Sequence, residues 1–179
     1  MSEKRFLIVV DMQNDFIDAA LGTAEAQAIL PAAVARIRAA REAGETVIAT
    51  LDTHHENYLE TSEGRKLPVC HCIRGTAGWR LNPEIEAALG DAMRLEKPTF
   101  GSVRLPGIVR ELAGESENIA IELIGLCTDI CVVSNALLLK ASFPEAAISV
   151  NRACCAGVTP EKHEAALETM RSCQIDVIE

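Results

Sequence analysis

The stretch ELIGLCTDICVVSNA at residues 122–136 contains two apolar runs separated by a short polar turn. The first run ends at Gly125, the turn covers residues 126–129, and the second run begins at Ile130. This pattern predicts a buried strand, a tight turn and the first turn of a helix, with Cys131 at the helix N-terminus. Such a direct passage from strand to helix is typical of an α/β fold.

Cys131 is a candidate nucleophile because of this position. The unpaired N–H groups and the positive end of the helix dipole favour a thiolate over a thiol. The same N–H groups can hold the oxyanion that forms when a thiolate attacks a carbonyl. The alternative is a small buried side chain that packs the helix against a sheet. The stretch alone leaves both interpretations open.

Apolar strands and amphipathic helices alternate through the rest of the chain. Strands are predicted at residues 5–10, 46–51, 93–96, 118–124, 146–150 and 175–178, and helices at 24–43, 83–89, 106–112, 130–141 and 160–173. We therefore expect a three-layer α/β/α, Rossmann-like fold with a mostly parallel sheet of about six strands. Because 179 residues with 49% hydrophobic content suit one core, a single domain over residues 1–179 is expected.

Composition and missing motifs exclude several classes of function. The net charge is −9, aromatic residues make up 3%, and Lys and Arg form no run, so a nucleic-acid partner is not expected. The apolar stretch near the start is too short for a signal peptide or a membrane span, so we expect a cytoplasmic protein without membrane contact. Seven cysteines without repeated CxxC pairs favour reduced thiols. GxGxxG and P-loop motifs are absent, so nucleotide cofactors have no support.

Asp11, Lys97 and Cys131 each follow a predicted strand at its carboxyl end. In a parallel sheet those ends share one edge, where α/β folds build their sites. An acid, a cation and a thiol at that edge form an activated-nucleophile arrangement. Taken singly, Asp11 is also compatible with a turn aspartate and Lys97 with a solvated surface lysine.

Residues 52–80 form a long segment without a clean hydrophobic period. Loops of this length inside a compact domain are usually functional. Asp52 and His54 directly follow a strand end, and His71 lies further along. Carboxylate and imidazole ligands together suit zinc, iron or manganese, so a divalent metal site is one interpretation. The other is a solvated loop with incidental histidines.

Five motifs in this order resemble those of the isochorismatase-like cysteine hydrolases, and within them the nicotinamidase-related amidases. They span most of the chain and read VVDMQNDF at 9–16, DTH at 52–54, HCIRGTAGW at 71–79, KPTFGS at 97–102 and GLCTDICV at 125–132. The resemblance implies an isochorismatase-like hydrolase fold. It also implies a catalytic triad of Asp11, Lys97 and Cys131.

The resemblance further implies an oxyanion hole formed by the backbone N–H groups of Cys127 and Cys131, with a cis peptide bond between Leu126 and Cys127. In the implied mechanism, Asp11 takes the proton of Cys131 with the help of Lys97. The thiolate attacks an amide, ammonia leaves, and water cleaves the thioester. Cys127 is then not the nucleophile, because it acts through its backbone.

The resemblance also implies one divalent metal ion, zinc with iron or manganese as alternatives, that holds the ring nitrogen of the substrate. Asp52, His54 and His71 match three of its ligands. The family's further histidine is missing, and Glu63 is the candidate replacement, with Glu60 second. Phe16 and Phe100 are the candidate aromatic residues of the substrate pocket. Pro68 stands where the family often has another aromatic residue.

The function implied is a cysteine amidohydrolase that cleaves nicotinamide or a related small heteroaromatic amide to an acid and ammonia. Two alternatives stay open at this point. One is hydrolysis of another small molecule, either a different small amide or a vinyl ether, and the other is a non-enzymatic interaction module on the same scaffold. A homo-oligomer is expected, because members of the family commonly assemble.

Overall fold

The protein is described over residues 3–179 by a computed structural model. Its six strands are β1 (Lys4–Val10), β2 (Thr46–Asp52), β3 (Met93–Lys97), β4 (Ile119–Leu126), β5 (Ala147–Ala156) and β6 (Asp176–Ile178). They form one parallel sheet in the order β3-β2-β1-β4-β5-β6. All carboxyl ends therefore lie at the same edge, and β1 and β4 occupy its centre.

Helices cover both faces of the sheet. They are α1 (Asn14–Ile17), α2 (Ala24–Ala28), α3 (Leu30–Glu42), α4 (Ser62–Lys66), α5 (Pro83–Leu89), α6 (Leu105–Ala113), α7 (Val133–Ser142) and α8 (Pro160–Ser172). Apolar side chains of α6, α7 and α8 share one core cluster, and those of α1, α2, α3 and α5 share the other. The predicted three-layer α/β/α architecture with a six-stranded sheet is confirmed.

The central strand β1 contributes to both cores. Phe6, Ile8 and Val10 point to one cluster and Leu7 and Val9 to the other, because successive side chains of a strand face opposite sides. A strand buried on both faces needs a continuous apolar run. This is why its sequence shows no polar alternation.

The helix predicted over residues 24–43 is in fact two helices. The first ends at Ala28, and α3 then begins with Pro31 in its first turn. Proline has no backbone N–H and is best placed in a first turn, where that donor would be free in any case. Strands β4 and β5 also run two and six residues beyond the predicted ends, since β4 reaches Leu126 and β5 reaches Ala156.

The segment predicted as an irregular loop, residues 52–80, carries some regular structure. A 3₁₀ turn covers Tyr58–Glu60 and α4 follows directly. The predicted helix start at Ile130 is also different. A π-helical turn over Thr128–Val132 comes first, and the α-helix begins at Val133. Such single π turns occur frequently at functional sites.

Gly125 allows the two central strands to approach closely just before the site. Its φ is 116°, and a Cβ at this position would lie 2.2 Å from the carbonyl oxygen of Val10. Any side chain would push β4 away from β1 at the residue preceding Asp11. Within residues 3–179, no helix is long and apolar enough to cross a membrane.

Candidate active site

Asp11, Lys97 and Cys131 meet at the carboxyl edge of the sheet. Lys97 Nζ lies 2.6 Å from Asp11 Oδ2 and 3.4 Å from Cys131 Sγ. The three residues are buried, with exposures of 0% for Asp11, 1% for Lys97 and 4% for Cys131. The structure thus brings together the three residues that the strand ends predict. Their catalytic roles stay a prediction.

Two neighbours that the sequence analysis did not single out hold the acid and the cation. Thr50 Oγ1 donates to Asp11 Oδ1 at 2.6 Å, and Lys97 Nζ donates to the carbonyl oxygen of Thr99 at 3.1 Å. Asp11 itself has a φ of 49°. Non-glycine residues rarely adopt this left-handed conformation, and it is concentrated at functional sites.

Burial and neighbouring charges set the protonation states of these groups. Burial raises the pKa of Asp11, and the ammonium group of Lys97 offsets part of this effect. Burial raises the pKa of Cys131 well above its ordinary value, and the charge of Asp11 adds to the increase. Burial alone would lower the pKa of Lys97, but the charge of Asp11 and its hydrogen bond, with the charge of Asp52, outweigh it and raise that pKa.

The resting sulfur of Cys131 is therefore a thiol next to a cationic Lys97. Burial thus opposes the thiolate that a helix N-terminus favours. The mechanism implied by the family resemblance, in which Asp11 takes the thiol proton, starts from this protonated state. A nearby proton acceptor is consequently needed for attack. Asp11 is the candidate acceptor, because its carboxylate and the sulfur of Cys131 both contact Lys97 Nζ.

The peptide bond between Leu126 and Cys127 is cis, as the resemblance implies. The N–H of Cys127 donates to no other group within residues 3–179, and its carbonyl oxygen accepts from the N–H groups of Ile130 and Val132. Burial, with the charges of Asp129 and Asp11, raises the pKa of the Cys127 thiol to about 12. Cys127 therefore offers a free backbone donor but a poorly ionised thiol.

Asp52, His54 and His71 form a compact cluster whose ligand atoms lie within 4.8 Å of one another. Asp52 Oδ2 is 3.0 Å from His54 Nε2 and 3.5 Å from His71 Nε2. Nδ1–H of His71 donates to the carbonyl oxygen of Val69 at 2.8 Å, which leaves Nε2 free to bind a metal. Burial raises the pKa of Asp52, but its hydrogen bonds to both histidines prevail and lower it overall.

Glu63, rather than Glu60, lies beside this cluster. Glu63 Oε1 is 3.6 Å from Nε2 of both His54 and His71. Glu60 is exposed, and its carbonyl oxygen accepts a hydrogen bond from Arg65. The short helix α4 thus turns Glu63 toward the histidines, a placement that sequence spacing alone did not decide.

The donor atoms of this cluster fit a divalent metal. Neighbouring donors around a tetrahedral zinc with bonds of about 2.1 Å are about 3.4 Å apart. The carboxylate-to-imidazole separations here are 3.0–3.6 Å. Imidazole nitrogen and carboxylate oxygen are also donor types that zinc, iron and manganese share.

One pocket of about 400 Å³ connects the candidate nucleophile with the candidate metal centre. Its lining includes the predicted residues Phe16, Asp52, Glu63, His71, Phe100, Cys127 and Cys131. The ring of Phe16 lies 5.5 Å from that of His71, and Phe100 is 47% exposed. Leu67 also lines the pocket, next to the Pro68 position where the family often has an aromatic residue.

A buried thiol in contact with a lysine–aspartate ion pair, at the carboxyl edge of a parallel sheet, defines a candidate cysteine-hydrolase site. The chain belongs to the family of the Isochorismatase domain, whose sequence model matches residues 5–179. The family predicted from the five motifs is thereby confirmed.

Individual relatives are similar over nearly their whole length. A nicotinamidase/pyrazinamidase of Mycobacterium tuberculosis is 25% identical over 190 residues, with 97% of this chain and 98% of that protein covered. A pyrazinamidase of Pyrococcus horikoshii, solved in complex with zinc, is 29% identical with a TM-score of 0.82 and covers 98% and 99%. A nicotinamidase/pyrazinamidase of Bacillus subtilis is 27% identical with a TM-score of 0.84 and covers 98% and 100%.

Proposed function

We propose that the protein is a metal-containing cysteine amidohydrolase that converts nicotinamide, or a closely related heteroaromatic amide, to the acid and ammonia. The observation that carries this proposal is the shared pocket. Cys131, Asp52, Glu63 and His71 all line it. A volume of about 400 Å³ suits a single small aromatic molecule. The names of the three relatives, all nicotinamidases or pyrazinamidases, favour this function over the alternatives.

Acylation begins with transfer of the thiol proton of Cys131 to Asp11. The raised pKa of Asp11 makes it a suitable base for a thiol whose own pKa is raised. Lys97 stays cationic throughout and stabilises the negative charge, which moves from the carboxylate to the sulfur. The thiolate then attacks the amide carbon, and the N–H groups of Cys127 and Cys131 hold the resulting oxyanion.

Release of the two products completes the cycle. Protonated Asp11 gives its proton to the amide nitrogen, and the C–N bond breaks. Ammonia departs, and a thioester remains on Cys131. Asp11 next deprotonates a water molecule that attacks the thioester carbon. Collapse of this second tetrahedral species breaks the C–S bond, frees the acid and returns the proton to the sulfur.

Asp52, His54, His71 and Glu63 are the residues that would hold the metal. A divalent ion held there would act as a Lewis acid toward a ring nitrogen of the substrate. The protein's own contribution is to hold these donors close together, with Asp52, Glu63 and His71 lining the pocket. Phe16, in contact with His71, lines the same pocket and favours a flat ring.

Ammonia release from nicotinamide, pyrazinamide and benzamide tests this function. Benzamide has the shape of nicotinamide but no ring nitrogen. We expect release from the first two amides and a much lower kcat/KM for benzamide. Ammonia from none of the three amides would refute the proposed substrate class, and equal rates for benzamide and nicotinamide would refute the role of the ring nitrogen.

A further inference from the structure

The turn that carries the candidate oxyanion donors packs against the start of α8. Thr128, which directly follows Cys127, is completely buried, and its Oγ1 lies 2.7 Å from His163 Nδ1. One residue further along the turn, Asp129 Oδ1 accepts the N–H of Val158 at 2.9 Å. Two consecutive side chains of the turn are thus held by the segment that begins α8.

This close approach depends on Gly157. A Cβ at that position would lie 2.8 Å from the backbone nitrogen of His163 and 2.9 Å from Asp129 Oδ1. Real Cβ atoms essentially never come so close to such atoms. A side chain at residue 157 would therefore separate the turn from α8. The contact between the turn and α8 requires glycine at this position.

His163 is suited to hold the hydroxyl group of Thr128. Its side chain is only 13% exposed. Burial lowers the pKa of His163, and Arg152 acts in the same direction against the opposing charges of Glu164 and Asp129. The imidazole is therefore neutral near neutral pH. A neutral ring nitrogen either accepts from the hydroxyl or donates to it, according to the tautomer, and one hydrogen bond forms in both cases.

We propose that His163 is a positioning residue of the oxyanion hole, acting through Thr128. This inference rests on the amidohydrolase function proposed above. The β-branched side chain of Thr128 has few rotamers, so a fixed Oγ1 also fixes its backbone. The preceding peptide unit carries the Cys127 carbonyl, which accepts from Ile130 at 3.0 Å and Val132 at 3.1 Å. His163 thereby restrains the turn that carries both candidate donors, with Cys127 directly before Thr128 and Cys131 further along.

Two substitutions distinguish the contribution of the His163 ring from that of its hydrogen bond to Thr128. His163→Phe keeps a ring of similar volume but leaves Thr128 Oγ1 without this partner. His163→Asn removes the ring but keeps a polar group near the position of Nδ1. We expect His163→Phe to lower kcat about tenfold with KM nearly unchanged, less than the roughly 10²–10³-fold effect of deleting an oxyanion donor. The loss falls on kcat because the oxyanion exists only beyond the ground state. His163→Asn should restore most of kcat.

Thr159→Ala is the matched control for a purely structural effect. Thr159 caps the same helix through the N–H of Lys162, and its loss weakens α8 without removing the contact to Thr128. We expect an unchanged kcat in Thr159→Ala. The double variant Thr128→Val with His163→Phe should be no slower than the slower of its two single variants, since both remove one hydrogen bond. Equal losses in Thr159→Ala and His163→Phe, or no rescue by asparagine, would overturn the proposal.

Two further readouts keep this inference separate from the proposed function. Alkylation of Cys131 by iodoacetamide should be unchanged in His163→Phe, because no oxyanion forms in that reaction. Hydrogen exchange in residues 127–132 should be faster in His163→Phe than in the wild type. The exchange measurement needs no substrate, so it decides this inference even if the wild-type protein releases no ammonia, which would refute the proposed function alone. Unchanged exchange would overturn the role of His163.

Discussion

The ammonium nitrogen of Lys97 lies 3.4 Å from the sulfur of Cys131, and both groups are almost completely buried. The same nitrogen is 2.6 Å from Asp11 Oδ2 and 3.6 Å from Asp52 Oδ1. Lys97 therefore links the candidate nucleophile, the candidate base and a candidate metal ligand. Burial raises the pKa of each of these three acidic groups, and the charge of Lys97 acts against that increase in every case.

Asp11→Asn should separate thiol reactivity from turnover. Removing the carboxylate charge lowers the pKa of Cys131, because Asp11 raises that pKa and Lys97 lowers it. At neutral pH we therefore expect faster alkylation by iodoacetamide. Turnover should fall by on the order of 10²–10⁴-fold, since the proton acceptor is gone. Exposed Asp18→Asn serves as the control, with neither rate changed. Slower alkylation of Asp11→Asn would contradict the charge relationship.

Lys97→Met should destabilise the fold as well as abolish activity. It leaves the buried carboxylate of Asp11 without its ion-pair partner, which typically costs about 3–5 kcal/mol of unfolding free energy. Alkylation of Cys131 should also slow, because the thiolate loses its neighbouring cation. Denaturant unfolding measures the first effect, and exposed Lys162→Met should change stability by less than about 0.5 kcal/mol. A fully stable Lys97→Met variant would contradict the paired state of Asp11.

Glu63→Gln and Glu60→Gln form a matched pair for the metal centre. Glu63 Oε1 lies 3.6 Å from both histidine nitrogens, whereas Glu60 is exposed. Elemental analysis of protein purified without added metal should find a divalent ion in the wild type and in Glu60→Gln. Less metal should remain in Glu63→Gln after brief dialysis against a chelator, and least in His71→Ala. Equal retention in all four proteins would refute the proposed ligands.

The sequence predicted the parts of the fold that depend on local patterns. The apolar run of β1 and the Asn82-Pro83 start of α5 have direct sequence signals, since Asn82 Oδ1 accepts the N–H of Glu84 as a helix cap. Pro31 marks a possible break in the helix predicted over residues 24–43, but the sequence does not show that the division falls at Ile29. The extension of β5 to Ala156 depends on pairing with β4, which local residues do not encode.

In the candidate site, too, some features follow from local sequence patterns and others depend on the folded chain. Asp11 and Lys97 could be placed at one sheet edge because parallel strands align their carboxyl ends. The extent to which burial raises the pKa of Cys131 could not be predicted, since it depends on the whole surrounding core. The contact between Thr128 and His163 joins residues that are 35 positions apart. No motif signals such a pairing, so only the folded chain reveals it. A homo-oligomer and a cytoplasmic location stay predictions.

The assignment of the nucleophile is tested most directly by ammonia release from nicotinamide in Cys131→Ala and Cys127→Ala. Cys131 supplies the attacking sulfur, so its loss should reduce turnover on the order of 10⁴-fold or more. Cys127 acts through its backbone N–H, which alanine retains, so Cys127→Ala should stay within about tenfold of the wild type. The opposite result, an active Cys131→Ala with an inactive Cys127→Ala, would contradict the mechanism at its central step.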